Sequence, residues 1–184
     1  MKIGNRCRVW LVAAFSALSV SPLCAQRIAV KTNALYWAAL SPNAGVEVTL
    51  SRHFTLNLEA DFSPFGRGGN VGLRHVSFVP EVRYWFGGRP QTRHFIGASG
   101  MGTIYDLRFG NTRHDGDALG GGFTYGYSLV LNRRWSIEGT VGLGLLHRSE
   151  KHYAVGTPAP DSPNRTGFVF APVKLGLSAV YIIR

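Results

Sequence analysis

Residues 55–62, TLNLEADF, alternate without a break: Leu56, Leu58, Ala60 and Phe62 fall on one side of an extended chain and Thr55, Asn57, Glu59 and Asp61 on the other. A period of two is the signature of a strand with one apolar face. The pattern recurs in Val46, Val48, Leu50 against Glu47, Thr49, Ser51, and in Val76, Phe78, Pro80, Val82, Tyr84, Phe86 against His75, Ser77, Val79, Glu81, Arg83, Trp85. It returns in Phe123, Tyr125, Tyr127, Leu129, Leu131 against Thr124, Gly126, Ser128, Val130. Trp135, Ile137, Gly139, Val141, Leu143, Leu145 oppose Ser136, Glu138, Thr140, Gly142, Gly144, and Val173, Leu175, Leu177, Ala179, Tyr181, Ile183 oppose Lys174, Gly176, Ser178, Val180. Residues 28–38 and 94–106 are extended in composition but alternate less cleanly, which brings the expected strands to eight. No stretch of this part holds a period of 3.6, and 23 glycines scattered through apolar runs oppose long helices.

Alternation alone also describes a soluble sandwich. Three features favour an eight-stranded antiparallel transmembrane β-barrel. The expected strands run to about 9–13 residues, longer than the usual 5–6 and matched to the roughly 9–11 needed to cross a bilayer at a tilt. Their apolar face is rich in Phe, Tyr and Trp, as a lipid-facing band is. Connections alternate in length: 51–53, 87–93 and 132–134 are tight, whereas 63–74, 107–119 and 148–167 are long, and only the first outer link, 40–43, is short. Short periplasmic turns with longer external loops are the rule for such barrels. The segments LSRHFTL (50–56) and LNRRWSI (131–137) echo one another and fit two equivalent periplasmic hairpins.

The start of the chain sets the compartment. Lys2, Arg6 and Arg8 precede an uncharged run from Val9 to Val20 that ends near Pro22. That is the outline of a signal peptide over residues 1–25, too short to span a bilayer. Cleavage after Ala25 leaves the barrel as residues 26–184; lipidation at Cys24 is the rival processing route, although Leu23 stands where a small residue belongs. Both cysteines, Cys7 and Cys24, lie in the removed segment, so no disulfide or thiolate site is expected. Removal lowers the net charge from +10 to +7, with 17 basic against 10 acidic side chains. A secretory signal turns that excess away from nucleic acid and toward outer-membrane lipid and lipopolysaccharide phosphate.

If the alternating polar face lines the lumen, Lys31, Glu47, Glu59, Asp61, Glu81, Arg83, Glu138 and Lys174 all point inward. A charge facing lipid at the midplane costs about 2–4 kcal/mol. Eight strands enclose only enough room for side chains, so these charges are expected to pair into a plug, with a narrow ion path as the rival. Arg67, Arg74, Arg108, Arg113, Arg148, Lys151 and Arg165 are expected on the external loops beside anionic lipopolysaccharide.

At KTNALYWAALSPNAGVEVTLSRHFTLNLEADFSPF, VSFVPEVRYWF, GGGFTYGYSLVLNRRWSIEGTVGLG and APVKLGLSAVYIIR the chain resembles a family of short, uncharacterised outer-membrane β-barrel proteins of Gram-negative anaerobes. The most specific elements are Lys31-Thr32-Asn33, the run from Ser41 to Glu47, and Pro80-Glu81 with Arg83-Tyr84-Trp85. The resemblance implies the barrel and its compartment, with fimbrial or other surface-structure proteins as partners, and transfers no catalytic residue.

One arrangement carries an enzymatic expectation. His75 and Ser77 share a strand face, and small outer-membrane lipid A deacylases activate a serine with a histidine and a carboxylate. The nearest acid on the same strand, Glu81, lies four residues from Ser77, about 13 Å at roughly 3.3 Å per residue, too far to orient the imidazole; Glu138 or another cross-strand acid is the alternative. His147, Glu150 and His152 could meet a metal only if the last long loop folds back. Gly120 to Gly122, and Gly142 with Gly144, are not followed by a helix and read as strand bends rather than phosphate cradles. Asn164-Arg165-Thr166 matches a glycosylation sequon by chance. The expected function is therefore non-enzymatic, a barrel that offers its outer loops for adhesion, docking or surface-structure assembly, with no cofactor and no metal.

Overall fold

The computed structural model describes residues 27–64, 71–158 and 160–183. The expected signal peptide with both cysteines, and Arg67, lie outside the described residues. The elements are β1 (Ile28–Asn33), α1 (Ala34–Ala38), β2 (Asn43–Thr49), β3 (Phe54–Ser63), β4 (Val71–Trp85), β5 (Arg93–Phe109), β6 (Thr112–Val130), β7 (Trp135–Ala154) and β8 (Arg165–Ile182). Each strand pairs antiparallel with its sequence neighbours, and β1 pairs with β8, so the sheet closes into a barrel in the order of the chain.

Side chains are distributed inside out relative to a soluble core. On β3 the polar residues Thr55, Asn57 and Asp61 are buried while Phe54, Leu58 and Phe62 are exposed. On β7, Ser136, Glu138 and Thr140 are buried and Trp135, Ile137, Val141, Leu143 and Leu145 are exposed. The polar face of the alternation therefore lines the interior, and a slip of one residue would turn each charge outward.

The ladder of paired residues that leaves Ala29 passes through Glu47, Asn57, Glu81, Ser99, Gly122 and Gly144 and reaches β8 at Ala171, whereas Ala29 itself pairs with Ile182. The ring thus closes with a stagger of eleven residues (171 to 182), one of them contributed by a register shift opposite Gly142 and Leu143. At about 3.3 Å per residue and about 4.8 Å between strands, this tilts the strands by roughly 45° to the barrel axis.

The two echoing turns fold alike. Leu50 N donates to Phe54 O at 2.9 Å and Leu131 N to Trp135 O at 3.0 Å. Ser51 Oγ accepts from Phe54 N at 3.2 Å, and Asn132 Oδ1 accepts from Trp135 N at 2.9 Å. A short polar side chain replaces the missing ladder bonds in both.

Four expectations are corrected. Residues 28–38 are a strand only as far as Asn33, whose side chain accepts from Leu35 N at 3.1 Å and caps α1. The expected loop 107–119 is a hairpin that turns at Gly110 and Asn111, with β5 and β6 paired to the tip, and β7 and β8 likewise extend into both ends of 148–167, as far as Ala154 and from Arg165. Here the outward positions Asp106, Arg113, Asp115, Asp117 and Lys151 are charged, so strands read as loops. Arg74, Arg108, Arg113, Arg148, Lys151 and Arg165 accordingly sit on strands, and Arg148 reaches inward to within 3.6 Å of Glu150. Finally, Val173 is buried rather than outward, because the register shift lets it turn inward beside Lys174.

That inward Val173 joins Ala118 and Leu146, with Met101, Tyr105, Val169 and Ala171 packed around them. The interior is therefore polar toward the short turns and apolar higher up. At the turn end Trp85 and Phe95, both fully buried, pack with ring centroids 4.7 Å apart.

Glycines admit the curvature. A Cβ on Gly126 would strike the Phe95 ring and the Gly139 carbonyl, and one on Gly122 or Gly144 would strike the backbone of the other's strand. Gly126→Val should displace Phe95 and destabilise the fold by about 1–3 kcal/mol, read as a lower midpoint in denaturant unfolding followed by tryptophan fluorescence. Gly139→Ala, where a Cβ meets nothing, should leave the midpoint nearly unchanged.

Candidate functional site

Seven charged side chains meet in the interior. Arg83, on β4, is fully buried and lies 2.9 Å from Glu47, 2.8 Å from Glu81 and 3.0 Å from Glu138, with Glu59 at 3.8 Å. Lys31 lies 2.5 Å from Glu47 and 3.3 Å from Glu138, and Lys174 lies 2.8 Å from both Glu59 and Glu81. Four carboxylates thus face three cations. Neutral donors add to the ion pairs: Asn57 Nδ2 donates to Glu59 at 2.9 Å and Glu81 at 3.0 Å, Thr140 Oγ1 to Glu138 at 3.2 Å, and Thr124 to Glu81. The Arg83 guanidinium also stacks 4.3 Å above the Phe95 ring, a cation–π contact.

The eighth residue of the expected set, Asp61, stands apart from the seven. Its Oδ2 lies 2.7 Å from His75 Nε2, on the neighbouring strand. Asp61 is therefore the cross-strand acid for the histidine, in place of Glu81 or Glu138. Ser77, however, bonds Thr103 Oγ1 at 3.0 Å, and His75 Nδ1 is buried without a hydrogen-bond partner among the described residues. Ser77 is only 4% exposed and faces the interior, away from any acyl chain packed against the outer wall.

The expected trio of His147, Glu150 and His152 separates. His147 faces outward and packs edge-on against Phe168 at 5.1 Å. Glu150 and His152 face inward beside His114, whose Nδ1 lies 3.5 Å from Glu150 Oε1 and 3.4 Å from His152 Nδ1. Among the described residues no such group is arranged to hold a metal ion. Tyr105 donates to Glu150 Oε2 at 3.0 Å. Burial would raise the Glu150 carboxyl, but the Tyr105 hydrogen bond with Arg148 and His114 nearby holds it below the ordinary range. Burial and that same carboxylate push the Tyr105 phenol up to about 12.

Of the basic residues expected to face lipopolysaccharide, Arg113 is paired with Asp106 and Arg148 turns toward Glu150. Arg74, Arg108, Lys151 and Arg165 remain on the projecting strands without an ion pair among the described residues.

The segments that carry the resemblance are structurally explained. Lys31 and Glu47 join the network, Thr32 Oγ1 donates to Asn43 O at 3.0 Å, and Asn43 Nδ2 donates to Asn33 O at 3.0 Å, locking the β1–β2 connection. Asn33 also ties to β8, donating to Leu175 O and accepting from Leu177 N. Glu81 and Arg83 are network members, and Trp85 donates its indole N–H to Thr55 at 3.0 Å. Sequence reasoning passed over Asn57, Thr124, Thr140 and the Trp85–Phe95 pair, although Asn57, Thr124 and Thr140 occupied the polar phase.

A closed antiparallel ring with an ion-paired interior and an aliphatic and aromatic exterior defines a small all-β class of protein. The chain belongs to the family described as Protein of unknown function (DUF3575), whose profile matches residues 9–183. No curated protein matches the chain.

Two outcomes test this site. Arg83→Met removes the cation common to all four carboxylates and should destabilise the protein by about 3–5 kcal/mol, as loss of one partner of a buried ion pair does; denaturant midpoints read this. Tyr105 should ionise near pH 12 by ultraviolet absorbance, and Glu150→Gln should bring that titration down. The sign follows from linkage: Tyr105 contributes stability below the ordinary phenol range that is lost toward pH 12, and Glu150 contributes stability above the carboxylate range that is lost on acidification.

Proposed function

We propose that this protein is a non-enzymatic outer-membrane β-barrel whose projecting strands and outer loops dock surface partners. The single observation that carries the membrane reading is the outward apolar band. Along β7 it runs from Trp135 to Leu145, and from Val76 on β4 to Phe86 just past its end, eleven residues each, with the side chains at both ends of each run exposed. Ten steps at about 3.3 Å, tilted about 45°, give a height of roughly 23 Å, close to the apolar band of about 25 Å on outer-membrane barrels.

Both margins of the band fit an interface. At the turn end Phe54, Tyr84 and Phe86 form edge contacts at 5.3 and 5.5 Å, Trp135 packs on Tyr181 at 4.9 Å, and His94 lies 2.6 Å from the Tyr125 hydroxyl, an aromatic girdle with polar tips. Above Val76, Ile104, Leu119 and Leu145 the outward row becomes Arg74, Asp106, Asp117 and, past His147, Ser149 and Lys151. The projecting surface therefore carries both signs of charge, a better match to a protein partner than to lipopolysaccharide phosphate alone. A cleavable signal over residues 1–25 supplies the export route this reading requires.

The charge network argues against a channel. The cavity beside it, bounded by Lys31, Tyr36, Asp61 and Lys174, holds 10 Å³, about the space of a single water probe. Lipid A deacylation by His75 and Ser77 is disfavoured by the Ser77–Thr103 bond and by the interior placement.

The protein should fractionate with outer membranes, require detergent for extraction, and migrate differently in gels before and after boiling. Release by carbonate without detergent would overturn the membrane reading. A deletion strain should show altered surface attachment with unchanged lipid A mass. A lipid A mass change that Ser77→Ala abolishes would instead make the protein an enzyme.

A further inference from the structure

The eight strands are unequal. β1, β2 and β3 have six, seven and ten residues, whereas β7 has 20 and β8 has 18. β1 leaves β8 at the pair Asn33 with Ser178, and α1 follows it in the chain. Above that pair β8 runs on to Arg165 with β7 on one side and, among the described residues, no strand on the other. The wall of the ring therefore has a notch toward its outer end, and β8 forms one side of it.

Hydrogen bonds settle which backbone groups face the notch. Leu177 N donates to Asn33 Oδ1 and, just past β8, Ile183 N donates to Ile28 O, so odd-numbered residues below the register shift turn their N–H and C=O toward β1. The shift opposite Gly142 and Leu143 inverts this. Above it the even-numbered Thr166, Phe168, Phe170 and Pro172 present their backbone to the notch, and the odd-numbered residues bond β7. Pro172 has no N–H, and proline within a sheet is confined to positions that owe no ladder bond. Its place on the notch side marks that side as an edge.

Native edges are usually blunted by charges. This one is not: TGFVFAPV, from Thr166 to Val173, contains no charged residue, and Phe168 and Phe170 are 78% and 66% exposed. Phe170 pairs with Leu145, at the upper limit of the apolar band, and Phe168 with His147 just above it. Leu35, Trp37 and Leu40, in and after α1, are exposed apolar side chains as well. An acyl chain offers no hydrogen-bonding groups to such an edge, and an ion offers a single point of contact. An extended chain repeats donors and acceptors at the spacing of the edge. A second copy does not fit within one membrane. Pairing two β8 edges needs a two-fold axis perpendicular to the wall or along the strands, and with strands tilted roughly 45° neither axis follows the membrane normal.

We propose that the edge of β8 from Thr166 to Pro172 accepts an extended segment of a partner protein as an added antiparallel strand, uncharged and apolar at every second residue beside Phe168 and Phe170. This rests on the docking reading of the projecting strands and names the class of partner.

The probe is a fluorescently labelled, C-amidated hexapeptide of alternating threonine and valine, with binding to the detergent-extracted protein read by fluorescence anisotropy. In an antiparallel pair, residues bonded across the edge share a face with Phe168 and Phe170, so the valine amides face β8. N-methylation of the threonines should therefore preserve binding, and N-methylation of the valines should abolish it. Phe168→Pro removes an edge N–H without touching the β7 ladder and should weaken binding by roughly tenfold, whereas Phe168→Leu should keep most of it. Pro172→Ala adds a donor and should tighten binding. Unchanged thermal melting of the variants ties these effects to the edge. No binding, equal binding of the two methylated peptides, or the opposite preference would each overturn the proposal. A dimer in sedimentation that Phe168→Pro dissociates would also overturn it, assigning the edge to a second copy. Release by carbonate with the peptide preference intact would count against the membrane reading alone.

Discussion

Arg83 is where the fold's opposing demands meet. A closed ring whose outside is apolar must place its charges inside, and an interior this narrow gives them no water to spare. One guanidinium answers carboxylates from β2, β3, β4 and β7, while Lys31 of β1 and Lys174 of β8 complete the set. Thr124 brings in β6, and Phe95 of β5 lies under the guanidinium itself. All eight strands therefore touch one cluster, and each does so only in its native register. Removing the cluster's charges altogether, in favour of well-packed apolar side chains, could preserve stability, but it would erase the distinction between the inner and outer phases of several strands.

That distinction was the most legible feature of the sequence. Strict alternation in residues 55–62 and 135–145 announced both the strands and the face each residue would take. What stayed hidden had physical causes. The phase of β8 breaks at Val173, where an extra residue lets two consecutive side chains turn inward, and nothing in APVKLGL marks the break. Past the apolar band the outward face becomes charged, as at Arg108, Arg113, Asp115 and Asp117, so residues 107–119 had the composition of a loop and the geometry of a hairpin. Asn33 ends β1 because its side chain caps α1, a local choice that the apolar residues after it obscured. The pairing of Asp61 with His75 required the β3–β4 register, and the turn between those strands carries no pattern that fixes it.

The interior divides by chemistry along its axis. Toward the turns lie the aromatic floor of Trp85 and Phe95 and the charge network; above it come Ala118, Leu146 and Val173, then the Tyr105–Glu150 contact. The two ends differ as well, one carrying Arg27, Arg52, Arg89, Arg93, Arg133 and Arg134 in and beside its short turns and the other of mixed sign. Between the two ends, the interior of the ring is crossed by the ion pairs of Lys31, Arg83 and Lys174.

The seam between β1 and β8 has a bearing on how such a chain can mature. It consists of the five pairs from Ala29 with Ile182 to Asn33 with Ser178, residues that stand at opposite extremes of the described chain. All other pairings are between neighbours and can form as hairpins, locally and early. The ring cannot shut until its final strand has arrived. Until then the carboxylates gathered around Arg83 lack Lys174 from β8, so closing the ring and completing the charge cluster are one event.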